Sequence, residues 1–487
     1  MTLIGLAGVL GGLALLIAFA FRGWSVLLLA PVAALIASLF SREPLLAHWT
    51  LTFMGSAADF LARFFPLFLL GAVFGKLMED SGSVTSIATY VTQRLGPHRA
   101  MLAVVLAGAL VTYGGVSLFV AFFVLAPMAQ ELFRTANIPR RLMPAAIVLG
   151  TSTFTMSALP GTPSIQNAIP MPFFGTTPFA APGLGILASL IMLGFGLWWL
   201  GREERAAKKN NEGFGGGAPL SAEHLARDEK LRERAVAARE FDPAEIVHGK
   251  EADGLPPIGL AALPLVVVVA VNFAMSLFIL PALDTRYLAE PRFGGVSLAD
   301  LGGIWAVVAA LTCAIVTVIA VAYRRLPDLR ATMDAGANAA VLPVMNVASL
   351  VGFGAVVAAM PAFAVVRDAV LGIGGGPLVS LAVATNLLAA LTGSASGGLT
   401  IALDALGATY LERATLIGLD PGLLHRVAVI GSGTLDSLPH NGAVVTLLAV
   451  CGSTHRESYR DIVVVGIVGA VIALVAVIAV GSVVGSF

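Results

Sequence analysis

Cysteine is almost absent from this chain of 487 residues: there are two, Cys313 and Cys451, each inside an apolar run. Two isolated thiols supply neither a disulfide framework nor the spacing of a metal site, so both read as packing residues. Charge is scarce too. Only 12% of residues are Asp, Glu, Lys or Arg and the formal net charge is zero, which removes the electrostatic case for a nucleic-acid partner. No Walker sequence, HExxH or nucleophile elbow occurs, so ATP-driven and hydrolytic activities have no motif and no cofactor is expected. The first apolar run has no basic residue before it and is longer than a signal-peptide core. It reads as a retained span.

What the chain has in abundance is apolar sequence: 57% of residues are hydrophobic and the mean hydropathy is +0.90. Runs of about 20 such residues can each cross a bilayer, and their recurrence makes this an all-α polytopic membrane protein. They fall near 3–21, 25–40, 58–78, 101–133, 142–170 and 183–200, then near 258–281, 300–323, 339–366, 377–411, 424–450 and 461–485. Between the two sets, positions 201–257 hold 22 of the 58 charged residues, too many for lipid. The expected plan is therefore a first membrane repeat over 1–200, a cytoplasmic charged linker over 201–257 and a second membrane repeat over 258–487. Within the linker a flexible glycine-rich run, Gly213 to Gly217, precedes a charged helix over Ser221–Glu240.

The halves echo one another. Thr155–Thr162, TMSALPGT, lies over Thr434–Asn441, TLDSLPHN, at an offset of 279; LVTYGGVS from Leu110 matches ALTGSASG from Ala390 at 280; Gly71 matches Gly352 at 281. Repeats with Gly/Pro-interrupted apolar segments in corresponding places point to a secondary transporter's binding site. Two Pro-kinked packing helices are the plainer alternative.

The segment 101–133 is awkward. Its 33 residues would make a helix of about 50 Å, too long for one span with little tilt, and basic residues flank both ends. A re-entrant helical hairpin with its tip at Thr112–Ser117 meets both observations, and 377–411 would form its partner with a tip at Thr392–Gly398. Each half then crosses five times, an odd number, so the two repeats have inverted topology: ten spans, two hairpins and two broken helices, an ion-transporter-type fold. Arginines beside the spans, among them Arg94, Arg134, Arg141 and Arg202, place the linker inside the cell and the N-terminus outside.

Irregular backbone at membrane depth survives only where protein or a water-filled cavity supplies its hydrogen bonds, so tips and breaks should converge on a midplane cavity. Half-helix N-termini aim N–H groups and positive dipole ends there, and a small organic anion is the natural occupant. The first-half candidates are Tyr113, Gly114, Gly115 and Ser117 at the tip, with Thr155, Ser157, Gly161, Thr162, Gln166 and Asn167 at the break. The second half offers Thr392, Ser394, Ser396, Gly397 and Gly398, followed by Ser432, Thr434, Ser437 and Asn441. Hydroxyls and carboxamides can donate to a carboxylate and also satisfy substrate hydroxyls, although small hydroxyl residues also serve as packing residues in membrane helices. Gly431, Gly433 and Gly442 are expected to loosen the second break. Asp436 and His440 are four apart, so ahead of the break they could share a helix face, and as an acid and an imidazole at membrane depth they are the candidates for carrying a coupled proton. The alternative is a structural pair holding the break open. Lys76, Glu79 and Asp80 read as interfacial anchors, Asp59 and Arg63 as an i,i+4 pair, and Asp404 as either buried or at the rim.

These stretches carry a resemblance. FPLFLLGAVFGKLMEDSG from Phe65, LVTYGGVSLFVAFFVLAP from Leu110, ANIPRRLMPAAI from Ala136, ALPGTPSIQNAIP from Ala158, LTGSASGGLTIAL from Leu391 and LDSLPHNGAVVTLLAVCG from Leu435 are similar to the gluconate:proton symporter (GntP) family of permeases. The resemblance spans nearly the whole chain outside the linker. It implies an inner-membrane, proton-coupled importer of small hydroxylated monocarboxylates. Gluconate permeases carry a histidine in the first-half break and a Ser-His-Val-Asn-Asp stretch in the second; this chain has LPGTPSIQN and LDSLPHNG, which resemble the D-β-hydroxybutyrate permease-like members. Sodium coupling through backbone carbonyls at the tips, and an anion channel or exporter, are the rival expectations. A homodimer is an option by analogy with carriers of this shape.

Overall fold

The structure, a computed structural model, describes residues 2–20, 24–116, 118–215, 254–439 and 441–487. Ser117, His440 and the expected linker helix over 221–240 lie outside the described residues. Everything regular among the described residues is helical, as runs of Leu, Val and Ala require in a solvent that offers the backbone no hydrogen bonds.

The first half opens with α1 (Thr2–Ala20) and α2 (Val26–Ser41), which pack together. Then comes α3 (Leu45–Asp80), which starts well before the expected span because the preceding turns, LLAHWTLTF, are helical too, with one π-helical stretch at His48–Phe53. After it comes α4 (Ser83–Leu95), a helix that hydropathy alone did not announce. It buries Val84, Ile87 and Ala88 at helical spacing together with Ser83, Ser86 and Thr92. Gly96 (φ +68°) and Pro97 end it, and the chain bends by 98° into α5 (Ala100–Tyr113). A glycine turn leads to α6 (Leu118–Thr135), which packs back along α5. The broken segment follows as α7 (Met143–Thr151), single turns at Phe154–Ser157, Ile165–Ala168 and Met171–Phe174, and extended chain between them. The half closes with α8 (Pro182–Lys209), which runs nine residues beyond 200, into the region assigned to the linker.

The second half repeats the order. Its elements are α9 (Ile258–Ala282), α10 (Leu298–Arg325), α11 (Leu329–Ala359), α12 (Phe363–Leu371), α13 (Gly376–Thr392), α14 (Ala395–Leu416), α15 (Pro421–Thr434), α16 (Gly442–Val450) and α17 (His455–Val484). Among the described residues, α3, α8, α9, α10, α11 and α17 are long and apolar enough to cross a membrane, and the bent pair α4–α5 together meets the same standard. The expected count of ten spans is thus coarser in the structure, because α1, α2 and α13 are shorter apolar helices and the remaining segments are broken.

Packing between the halves is reciprocal. Helix α2 packs on α11 of the other half while α10 packs on α3; α3 meets α11 directly, and α8 meets α17. Within each half, α5 packs on α6 and α7 just as α13 packs on α14 and α15. The close crossings are made by glycine. A Cβ on Gly150 would lie 2.4 Å from the Val105 carbonyl oxygen, and one on Gly398 would lie 2.3 Å from the Ala389 nitrogen.

Three local expectations are corrected. Gly431 and Gly433 do not loosen a helix: both lie inside α15, where a Cβ would meet Thr385 Oγ1 at 2.3 Å and Ser157 Cβ at 2.8 Å, so they permit close approach. Lys76 and Asp80 are not interfacial anchors but buried, 3.0 Å apart, with the Thr332 hydroxyl donating to Asp80 at 2.7 Å. Asp59 and Arg63 form no ion pair among the described residues; Arg63 sits within electrostatic reach of Asp300 and Asp404 instead. Cys451 is buried as expected, whereas Cys313 is exposed on an apolar helix.

Candidate functional site

At the α5–α6 turn, Gly115 takes a left-handed conformation (φ +94°). The turn is pressed against its surroundings: a Cβ on Gly114 would lie 2.1 Å from Leu265, and one on Gly115 2.9 Å from Pro163. The Tyr113 hydroxyl donates to the Pro160 carbonyl at 2.8 Å, tying the tip to the first break. The second half makes the corresponding link with a different side chain: the carboxamide of Asn441 donates to the Gly393 carbonyl at 3.0 Å. Ser394 caps α14, its hydroxyl accepting from the Gly397 N–H at 3.2 Å.

The first break leaves a run of carbonyls without helical partners, and side chains answer them one by one. Arg426 donates to Ala158 at 3.1 Å and to Ala180 at 2.6 Å, Tyr113 to Pro160, and Asn272 to Gly161 at 2.9 Å. Asn167 donates to Thr162 and to Pro178, each at 3.0 Å. Since that carboxamide uses its nitrogen on carbonyls, its oxygen accepts: from Arg426 at 3.4 Å and from His425 Nε2 at 3.1 Å. The His425 ring therefore carries its proton on Nε2, and Nδ1 accepts from the Thr176 hydroxyl at 2.7 Å. Arg426, His425 and Asn272 were not among the sequence candidates. Two ionisable residues in the apolar run HRVAVIG were the available signal.

At the second break α15 ends at Thr434, two residues before Asp436, so Asp436 is not on a helix; His440, its expected partner, lies outside the described residues. Pro439 explains this: it has no N–H to give and disfavours helical backbone in the residue before it. The buried Asp436 carboxylate accepts from Asn441 at 2.9 Å, and the other end of that carboxamide caps α16 through the Ala443 N–H at 2.7 Å. Tyr459 donates to the Ser437 carbonyl at 3.3 Å, and His455 Nε2 lies 2.7 Å from the Pro439 carbonyl oxygen.

A cavity of about 190 Å³ opens beside the first break. Its walls are the α5–α6 turn (Thr112, Gly115, Val116, Leu118), the break itself (Met156, Pro163 to Gln166), α3 (Leu67, Phe68, Gly71, Ala72) and α11 (Ala339, Ala340, Pro343, Val347), with Thr151 and Ser396 completing it. Of the sequence candidates, Gly115, Gln166 and Ser396 line it. Tyr113, Gly114, Thr155, Ser157, Gly161, Thr162 and Asn167 are not among its lining residues, and Ser394, Gly397 and Gly398 lie at the α13–α14 turn and the start of α14. Hydroxyls of Ser157, Ser432 and Thr434 donate to carbonyls three or four residues back, at 3.0, 2.9 and 2.7 Å. Asp436, Ser437 and Asn441 sit at the second break, outside this cavity. The N-terminal ends of α6 and α14 both reach it, through Leu118 and Ser396, and among the described residues no charged side chain lines it. Thr112, Thr151, Met156 and Ser164 were missed as lining residues, as were the faces of α3 and α11.

Comparison with known proteins bears on this arrangement. Residues 1–171 match the family model described as GntP family permease. The uncharacterized transporter YxjC of Bacillus subtilis (strain 168) is 40% identical over 467 residues, which is 94% of this chain and 95% of that one. The chain belongs to the GntP family of permeases. It is accordingly a membrane transporter and not an enzyme. Within the family, the high-affinity gluconate transporter of Escherichia coli (strain K12) is 35% identical over 104 residues, 20% of this chain and 23% of that protein. MtrF of Neisseria gonorrhoeae, from a structure reported as illuminating a class of antimetabolite efflux pumps, superposes with a TM-score of 0.53 at 14% identity. That match covers 90% of this chain and 85% of MtrF, and at this identity it speaks for the shared fold alone.

Proposed function

We propose that this GntP-family permease imports a small hydroxylated monocarboxylate across the inner membrane together with protons. The two repeats, inserted with opposite topology, would present the cavity to each side in turn. The observation that carries the reading is the cavity at the first break. It is reached by the positive ends of two long helices, is lined by no carboxylate among the described residues, and presents the Gln166 carboxamide, which has no side-chain partner among them.

Its chemistry favours one end of the substrate range. Leu67, Phe68, Val116, Leu118, Ile165 and Val347 make much of the wall apolar. A polyhydroxylated sugar acid such as gluconate would leave hydroxyls facing those side chains unpaired, at roughly 1–3 kcal/mol each on mutational scales. A 3-hydroxybutyrate-type acid needs partners for one carboxylate and one hydroxyl and offers a methyl group to the apolar wall. The volume, below the ~300 Å³ at which drug-sized pockets begin, also fits a short molecule.

For the coupled proton the candidate is Asp436, buried beside Asn441 at the second break. The test is uptake of labelled 3-hydroxybutyrate and gluconate into proteoliposomes under imposed proton or sodium gradients. Accumulation of the 3-hydroxy acid driven by a proton gradient and collapsed by an uncoupler is the expected result. Sodium-driven uptake that is untouched in Asp436→Asn would overturn the proton reading, and preferential uptake of gluconate would overturn the substrate reading.

A further inference from the structure

Arg426 is fully buried in α15, and among the described residues no carboxylate lies within ion-pairing distance of it. Its guanidinium is held by neutral acceptors: the carbonyls of Ala158 and Ala180 and the carboxamide oxygen of Asn167. The pocket is built for it. Gly185 of α8 leaves the room, since a Cβ there would lie 2.5 Å from the Ala158 oxygen and 3.2 Å from Arg426 Nε.

Hydrogen bonding alone does not account for a cation at this place. Pro160, Gly161, Thr162 and Pro178 belong to the same stretch, and their carbonyls are satisfied by the neutral side chains of Tyr113, Asn272 and Asn167. A guanidinium keeps its charge under all ordinary conditions, and carbonyl dipoles solvate that charge without neutralising it. Burying an unpaired charge is costly unless a counter-charge arrives. Arg426 grips Ala158, two residues from Met156, and Asn167, next to Gln166; Met156 and Gln166 both line the cavity. The groups that hold the cation are therefore close chain neighbours of two residues that line the cavity.

We infer that the transported anion is the missing counter-charge of Arg426, which acts through the backbone of the first break as a positioning and charge-selecting residue. This rests on the proposal that the substrate is a small carboxylate. It assigns charge selection to a residue that does not itself line the cavity, and it makes the anion the final element that balances the first break. A cavity loaded with a carboxylate is neutral overall; an empty one carries the uncompensated positive charge.

The experiment measures thermal stability of the purified full-length permease with and without 3-hydroxybutyrate and gluconate, alongside competition of uptake by 3-hydroxybutyramide, the uncharged amide of the first acid. Wild type should be stabilised by at least one of the acids, and the amide should compete at least tenfold more weakly than its acid. Arg426→Lys, which keeps the charge but loses donors, should retain part of the ligand-induced shift in melting temperature. Arg426→Gln, which keeps two donors but loses the charge, should lose it while eluting as a single folded species. Full ligand-induced stabilisation in Arg426→Gln, or equal loss in both variants, would overturn the inference and leave the carboxylate reading standing. If Arg426→Gln does not fold, the wild-type comparison decides alone: an amide that competes as well as its acid removes the role of charge. Wild type stabilised by neither acid would overturn the substrate reading, and this inference with it.

Discussion

Which hydroxyl or carboxamide is available to a ligand depends on what each already holds. Ser157, Ser432 and Thr434 donate to carbonyls of their own helices, whereas the Gln166 carboxamide faces the cavity. Gln166→Ala should therefore raise the KM for uptake by about tenfold, the loss of roughly one good hydrogen bond. Ser432→Ala should leave KM within about twofold, because it loses only a local bond inside α15. Measured initial rates over a range of substrate concentrations separate these outcomes, and equal effects would refute the assignment. At Asp436 the prediction concerns coupling: Asp436→Asn keeps an acceptor for Asn441 but removes the ionisable carboxyl proposed to carry the proton, so counterflow exchange should persist while proton-driven accumulation is lost. The candidate list drawn from the sequence could not make these distinctions. Ser, Thr and Asn near a glycine look alike as letters, and only the partner of each polar atom tells an engaged group from a free one.

At the scale of elements, the breaks were legible because proline and glycine act locally. Pro160 and Pro439 each interrupt a helix within a few residues, as backbone chemistry demands wherever a donor is missing. Glycine was harder to read, since the same residue relaxes a turn at Gly115 and permits helix contact at Gly398 and Gly433. The contact role makes a prediction. Gly398→Val should push α14 off α13, because even its first carbon would meet backbone 2.3 Å away, and overpacking of this kind costs about 1–3 kcal/mol or more. A lowered melting temperature in detergent is the readout, with Gly11→Val as control, since a Cβ there meets nothing within 4 Å. Helix α4 escaped the sequence reading for a different reason. Its thirteen residues are amphipathic and not uniformly apolar, so a search for membrane-length runs passes over it.

For the molecule as a whole, the reciprocal packing of α2 on α11 and α10 on α3 is what two related halves would produce about a common axis. The inverted insertion proposed for them has a direct test. In a Cys313→Ser, Cys451→Ser background, Glu43→Cys and Asp328→Cys occupy corresponding turns of the two halves, after α2 and after α10. A membrane-impermeant maleimide applied to right-side-out vesicles should label Glu43→Cys, and Asp328→Cys only after permeabilisation. Labelling of both from one side would mean parallel repeats.

Composition and local backbone chemistry were enough to determine that this chain is helical, lies in a membrane and breaks twice, because hydrophobicity, proline and glycine act over a few residues wherever they stand. Tertiary structure alone decided where the cavity lies, that α3 and α11 wall it, and that Arg426, some 260 positions away in the chain, closes the carbonyls of the first break. Those facts depend on which polar atoms meet across helices. In lipid an unpaired carbonyl finds no water, so its partner must come from wherever the fold brings one, and sequence spacing carries no record of that choice.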